Sequence, residues 1–319
     1  MTSRRVLLTG AAGFVGSAIA RRLARTPHPV RALVHRRALP DDSPLTASGA
    51  PGTEVVRADL TRPATLTGIC DGVHTVVHAA SAVDAGAEVC RAVNERGTRA
   101  LLAEASRAGV RHVVYISTAA VYGAGPHRGI AEDALPPAPE TAVSRSRLAA
   151  ERMVLSHGGT VFRPMFVYGP GDVWFVPTLA ALARFLPKRV NGGTARLSTI
   201  AVDALADVTA AAAESPGAVL GGAVYHVNHP EAVPVGRILD SLSAELGLPR
   251  AAGAIAYQDA VQELGLSADM ARRLALVSFD HFYDSTRIWA ATGVAPGAPF
   301  PRRFPEYADW YRRHLERGG

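Results

Sequence analysis

Through its first half the chain alternates short apolar runs with longer amphipathic stretches. Val6–Leu8 reads as a strand, followed by glycines and a helix to about Arg25. Val30–Val34, Val55–Val56, Thr75–Val77 and Val113–Ile116 read as further strands, and Glu88–Ala108 as a helix. A helix over Ala142–Ser156 then leads into a strand at Thr160–Phe162. These strands show no polar alternation, which fits a sheet covered on both faces. Strict strand–helix alternation implies right-handed crossovers and a parallel sheet. The expected fold class is α/β, a doubly wound parallel sheet with a smaller, mainly helical region.

After about residue 165 the pattern loosens, with Pro- and Gly-rich turns at Pro170–Gly171, Asn191–Gly193 and Gly221–Gly222. Pro177–Leu186, Val235–Leu246 and Leu264–Leu276 read as helices and Tyr225–Val227 as a strand. We divide the chain into a nucleotide-binding domain, residues 1–165, and a substrate-binding region, residues 166–319, interleaved with elements that return to the sheet. Tyr257–Phe282 reads as helical and is a candidate lid, whereas Gly123–Pro139 reads as a polar, proline-rich loop.

Composition changes this picture little. The formal charge is +6, with Lys188 the only lysine, but the arginines are scattered and a nucleic-acid surface is not expected. No apolar run approaches the ~20 residues of a membrane span, and the start of the chain carries no apolar signal core, so a cytoplasmic protein is expected. Cys70 and Cys90 offer neither metal spacing nor a disulfide framework, and no metal is expected.

Candidate chemistry begins at Thr9-Gly10-Ala11-Ala12-Gly13-Phe14-Val15-Gly16, between a strand and a helix. Gly10 permits a tight turn, Gly13 lets backbone approach a pyrophosphate at the helix N-terminus, and Gly16 permits close helix–sheet packing. An acidic residue about 20 positions on would hold the ribose 2′-hydroxyl of NAD. The second strand ends instead in His35-Arg36-Arg37, and Asp41 and Asp42 lie too far along the loop for that role. Arginine pairs bidentately with phosphate, so NADP(H) is the expected cofactor.

In order along the chain, Ala58-Asp59-Leu60, Val77-His78-Ala79-Ala80, Val93-Asn94-Glu95-Arg96-Gly97-Thr98, Ile116-Ser117-Thr118 and Arg163-Pro164-Met165-Phe166-Val167-Tyr168-Gly169-Pro170-Gly171-Asp172 complete a set that resembles the extended short-chain dehydrogenases/reductases. The resemblance covers nearly the whole chain and implies a Rossmann-like fold. It implies that Asp59 and Leu60 meet the adenine, and that Ala79, Ala80, Ser81, Asn94, Ile116, Pro164, Met165, Phe166 and Val167 line the cofactor. It further places Thr118, with Ser117 beside it, as the hydroxyl facing a substrate carbonyl. Ser81, Tyr168, Val173, Trp174 and Phe175 are the expected substrate contacts. Pairing of two copies through helices 88–108 and 142–156, a possible homodimer, is a further expectation.

One departure decides the chemistry. The family's proton donor is a Tyr four residues before a Lys, and those positions here are Val143 and Arg147, fixed by the following Leu148-Ala149-Ala150-Glu151. Arg147 could bind ribose hydroxyls but cannot usefully release a proton, and Val143 carries none. Protein-side alternatives are His127, Ser144, Ser146 and Tyr168. Dehydratases of this fold carry an Asp-Glu pair after the active-site Thr, where this chain has Ala119-Ala120, and epimerases need the Tyr. Two readings remain: a reductase of a large aromatic ketone, angucyclinone-like as in antibiotic pathways, whose proton comes from water, from one of these side chains or from a hydroxyl of the substrate itself, or a non-catalytic NADP(H)-binding sensor.

Overall fold

The computed structural model describes residues 4–39, 43–45, 52–83, 85–186, 188–214 and 220–317; Asp41 and Asp42 lie outside them. Its main sheet contains β1 (Arg5–Thr9), β2 (Val30–Val34), β3 (Glu54–Arg57), β4 (Val73–His78) and β5 (His112–Ile116), together with Thr160–Arg163 and Val224–His226. The order across the sheet is Val224–His226, Thr160–Arg163, β5, β4, β1, β2, β3, and every pairing is parallel. Strand order therefore reverses between β1 and β4, the crevice where sheets of this kind bind ligands.

β2 is buried at every residue and β4 at all but one, as the apolar runs require. Helix α1 (Phe14–Leu23) covers one face together with the helix Val202–Glu214 from the second half of the chain. The other face carries α2 (Ala87–Cys90), a π-helical turn at Arg91–Arg96, α3 (Gly97–Arg107) and α4 (Ala142–Ser156). The single helix expected over 88–108 is thus interrupted. Gly97 sits at the interruption because a Cβ there would lie 2.8 Å from the Leu60 Cβ.

A second core gathers the helices Phe175–Phe185, Val235–Leu246 and Ala268–Ser278 with the C-terminal helix Ala308–Arg317. The expected lid resolves into two helices, Tyr257–Glu263 and Ala268–Ser278, and a strand, His281–Tyr283. Ala260, Leu274 and Val277 are buried in that core, so the segment is packed structure. The expected loop after Gly123 contains a strand, His127–Ile130, paired in parallel with His281–Tyr283. Its partner is about 150 residues away in sequence, and Gly129 at φ +63° breaks its local pattern. Among the described residues, no helix is long and apolar enough to cross a membrane.

Candidate active site

The turn after β1 is built so that only glycine fits. Gly10 has φ +72°, and a Cβ there would lie 2.7 Å from the Ala80 nitrogen. A Cβ on Gly16 would meet the Gly10 carbonyl at 1.9 Å. Gly13 is exposed, caps α1 without a side chain, and no acidic residue stands in the first turn. Bare N–H groups at a helix N-terminus, with no side chain in front of them, fit a pyrophosphate. Phe14 and Val15 open α1 half-buried behind this turn.

At the other end of the crevice His35, Arg36 and Arg37 are exposed at the end of β2. His35 Nε2 lies 3.3 Å from Asp59 Oδ2, whereas Arg36 and Arg37 have no ion-pair partner among the described residues. Asp59 is fixed by Thr61, whose backbone N and hydroxyl donate to Oδ1 at 2.9 and 2.7 Å. Burial pushes its pKa up, but the Thr61 bonds and the charges of His35 and Arg62 leave it below the usual value.

The ends of β4 and β5 meet in a buried polar web. Thr9 Oγ1 and His78 Nδ1 are 2.7 Å apart, and His78 Nε2 lies 2.9 Å from Thr98 Oγ1. Burial, aided by the Arg147 charge, lowers the His78 pKa to about 3 and keeps the ring neutral. Asn94, aimed from the π-helical turn, receives the Ala82 N–H at 2.7 Å and the Ser81 hydroxyl at 3.1 Å. Its amide donates to Ser146 Oγ and the Ala82 carbonyl, both at 3.0 Å. Arg147 Nη1 donates to Ser81 Oγ at 2.7 Å and Nη2 donates to the Ile116 carbonyl. Arg147 is 7% exposed. Both its terminal nitrogens bond within the protein, where the sequence suggested ribose hydroxyls.

Thr118 and Ser117 diverge. Thr118 is half-buried, and its hydroxyl oxygen accepts the Ala120 N–H at 3.1 Å. Ser117 faces the other way: it is buried and donates to Glu151. Glu151 pairs with Arg163, whose Nη1 donates to the Tyr122 hydroxyl at 2.8 Å; that hydroxyl lies 2.7 Å from His226 Nε2. Ser117 therefore belongs to a buried structural chain that residue-by-residue reading missed. The pairing of Glu151 with Arg163 joins α4 to the strand that follows it in the chain, and no helical or strand period announces it.

The other candidates are also engaged. Ser144 completes a capping box with Thr141, and Ser146 donates to the Val143 carbonyl at 2.9 Å. His127 is buried with Nδ1 2.9 Å from the Tyr283 hydroxyl. Val143 is half-buried on α4. On the substrate side, Phe166, Tyr168 and Phe175 are 1–2% exposed and sit in the second core, where Phe166 stacks on Phe175 at 4.6 Å and Tyr168 meets Phe300 at 4.5 Å. Phe166 and Tyr168, alternate residues of the strand Phe166–Tyr168, both turn into that core, and Phe175 enters it from the start of the following helix. Met165, Val167 and Trp174 are half-buried, Pro164 is buried, and Val173 is 67% exposed.

The sequence model of the NAD dependent epimerase/dehydratase family matches residues 6–227. The chain is 30% identical over 272 residues to the 2-alkyl-3-oxoalkanoate reductase of Stenotrophomonas maltophilia, covering 80% of each. It is 30% identical over 281 residues to the 4-hydroxy-2-methyl-3-oxo-4-farnesyl-3,4-dihydroquinoline-1-oxide ketoreductase of Stigmatella aurantiaca, covering 85% of this chain and 81% of the relative. Among solved structures, the Bordetella bronchiseptica enzyme WbmH in complex with NAD+ aligns with a TM-score of 0.77 at 19% identity over 98% of this chain and 100% of that one, a likeness of fold. The same holds for DesIV, a dTDP-glucose 4,6-dehydratase from Streptomyces venezuelae, at TM-score 0.76 and 22% identity over 98% of each chain. The chain belongs to the NAD-dependent epimerase/dehydratase family, the extended short-chain dehydrogenases/reductases, and is an oxidoreductase of that superfamily.

Proposed function

We propose that this protein is an NADPH-dependent ketoreductase for a large aromatic ketone, angucyclinone-like, in which a hydroxyl of the substrate next to the ketone supplies the proton. One observation supports the reading: α4, where the family resemblance aligns its acid with Val143, carries no tyrosine. Seven tyrosines are buried, and Tyr257, the eighth, gives its hydroxyl to the Ala271 carbonyl at 2.8 Å.

The glycine turn and the α1 N-terminus would hold the pyrophosphate, Asp59 the adenine, and Arg36 and Arg37 the 2′-phosphate. When bound, the reduced nicotinamide supplies a hydride to the carbonyl carbon. Thr118 donates a hydrogen bond to the carbonyl oxygen and fixes its orientation. Val143 and Met165 keep that oxygen away from water, which strengthens each electrostatic contact. A hydroxyl fixed next to the ketone reacts at high effective concentration, so the chain needs no acid of its own. Both reductase relatives act, by name, on a ketone with an oxygen function near it: a 4-hydroxy beside a 3-oxo group in one, a 3-oxoalkanoate in the other.

The missing acid also favours a second reading, a non-catalytic NADP(H) sensor. Titration with NADPH and NADH by nicotinamide fluorescence, then turnover on a panel of hydroxyquinone ketones, separates the two. Preferential NADPH binding with ketone-dependent oxidation is expected. Tight NADPH binding with no oxidation on any ketone would establish the sensor.

A further inference from the structure

Arg147 is a buried cation without an anion. Its guanidinium is tied to Ser81 at the exit of β4 and to the Ile116 carbonyl at the end of β5, and its Nε is buried with no hydrogen-bond partner. It pairs with no carboxylate among the described residues. Arg163 is as deeply buried, at 4% exposure, but has Glu151 against it. Glu151 stands one turn beyond Arg147 on α4 and is already committed to Arg163 and Ser117. The other ionisable groups facing Arg147 are neutral: the His78 ring, and the Tyr115 phenol, whose pKa burial raises. Between them Arg147, Arg163 and Glu151 leave one positive charge uncompensated where two central strands end.

Burying such a charge is costly unless something negative meets it. The pyrophosphate is accounted for at the α1 N-terminus, and an oxidised nicotinamide is itself cationic. Ketone reduction creates one further anion in this crevice. As the carbonyl carbon accepts a hydride with its electron pair, the carbon–oxygen π pair moves onto oxygen. That oxygen takes the proton of the neighbouring hydroxyl, the negative charge passes to the second oxygen, and a proton from solvent later neutralises it.

We propose that Arg147 is a fixed cation that stabilises this substrate oxyanion, supplying by charge what the family's Tyr and Lys supply by proton transfer. The proposal rests on the ketoreductase reading. A guanidinium keeps its proton at any physiological pH, so Arg147 acts throughout as charge and never as acid. The substrate class that fits has an acidic hydroxyl conjugated with or adjacent to the ketone. A ketone without one would leave its alkoxide with no proton donor beside it.

The direct test uses a probe, 1-hydroxyanthraquinone, whose hydroxyl lies beside a carbonyl and whose visible absorption shifts on ionisation. Its apparent pKa is measured free and bound to the NADP+-saturated protein. The wild type should favour the ionised form at least tenfold over free solution. Arg147→Lys should keep most of that shift and Arg147→Met should lose it, with kcat reduced 100- to 1000-fold and the KM for NADPH changed little. Thermal unfolding and NADPH binding establish that each variant is folded. The wild-type probe shift needs no variant at all: a bound pKa at or above the free value overturns the proposal, as does an Arg147→Met variant at full rate. A wild type that shifts the probe but turns over no ketone overturns the ketoreductase reading and leaves the anion site standing.

Discussion

The Tyr311 hydroxyl donates to Asp172 Oδ2 at 2.9 Å and accepts the Gly169 N–H at 2.8 Å, fastening the C-terminal helix to the loop beside the crevice. Asp172 in turn receives the N–H groups of Trp174, Phe175 and Val176 at 2.8, 2.8 and 2.9 Å, and so starts the helix Phe175–Phe185. Gly171, at φ +102°, lies so close to Phe14 that a Cβ would come within 2.8 Å of its ring. The tail helix therefore sets the loop that packs on the first residue of α1. Tyr311→Phe should cost about 1–2 kcal/mol in urea unfolding. It should also raise the KM for NADPH several-fold while kcat changes less; an unchanged KM would make the link purely structural.

The Glu151–Arg163 pair is almost completely desolvated, at 0% and 5% side-chain exposure. Removing one member leaves a buried charge unpaired. Glu151→Ala should destabilise the protein by about 3–5 kcal/mol. Glu88→Ala, at an exposed site paired with Arg91 and Arg96, should leave the urea midpoint where it is. Equal effects would show that burial does not set the strength of these pairs.

His78 and His226 are buried, and burial lowers their pKa values to about 3 and about 4. In the unfolded chain a histidine titrates near 6.5, so between these values the unfolded state binds more protons and stability is lost as the pH is lowered. From pH 7.5 to pH 5, His78 alone should account for about 2 kcal/mol of lost stability. Urea midpoints measured across that range should decline steeply in the wild type and less steeply in His78→Gln. Parallel slopes would contradict the assignment.

Much of the fold was legible in the sequence because it is local. The glycine turn, the apolar strands of the sheet and α4, Ala142–Ser156, follow from short-range pattern. Strand His127–Ile130 was not legible, because its stability comes from His281–Tyr283, far along the chain. The burial of Tyr168 and Phe175 was hidden for the same reason: an aromatic residue reads alike whether it lines a cleft or fills a core. The Val143 and Arg147 replacements could be read directly, but the commitment of Arg147 to Ser81 and Ile116 depends on how three elements converge.

Arg36 and Arg37 are exposed and unpaired among the described residues at the end of β2. A charge-assisted bond to phosphate contributes about 1.5–3 kcal/mol. Arg36→Ala together with Arg37→Ala should weaken NADPH binding roughly 10- to 100-fold, leaving NADH binding nearly unchanged. Equal losses for both cofactors would remove the 2′-phosphate assignment.

The most direct measurement is single-turnover NADPH oxidation with a hydroxyquinone ketone that the protein accepts, compared with the same compound carrying a methyl ether in place of the neighbouring hydroxyl. With Val143 unable to donate a proton, the ether should bind but react at least 100-fold more slowly. Equal rates for the two would mean that the proton comes from the protein or from water, and would contradict a proton carried in by the substrate.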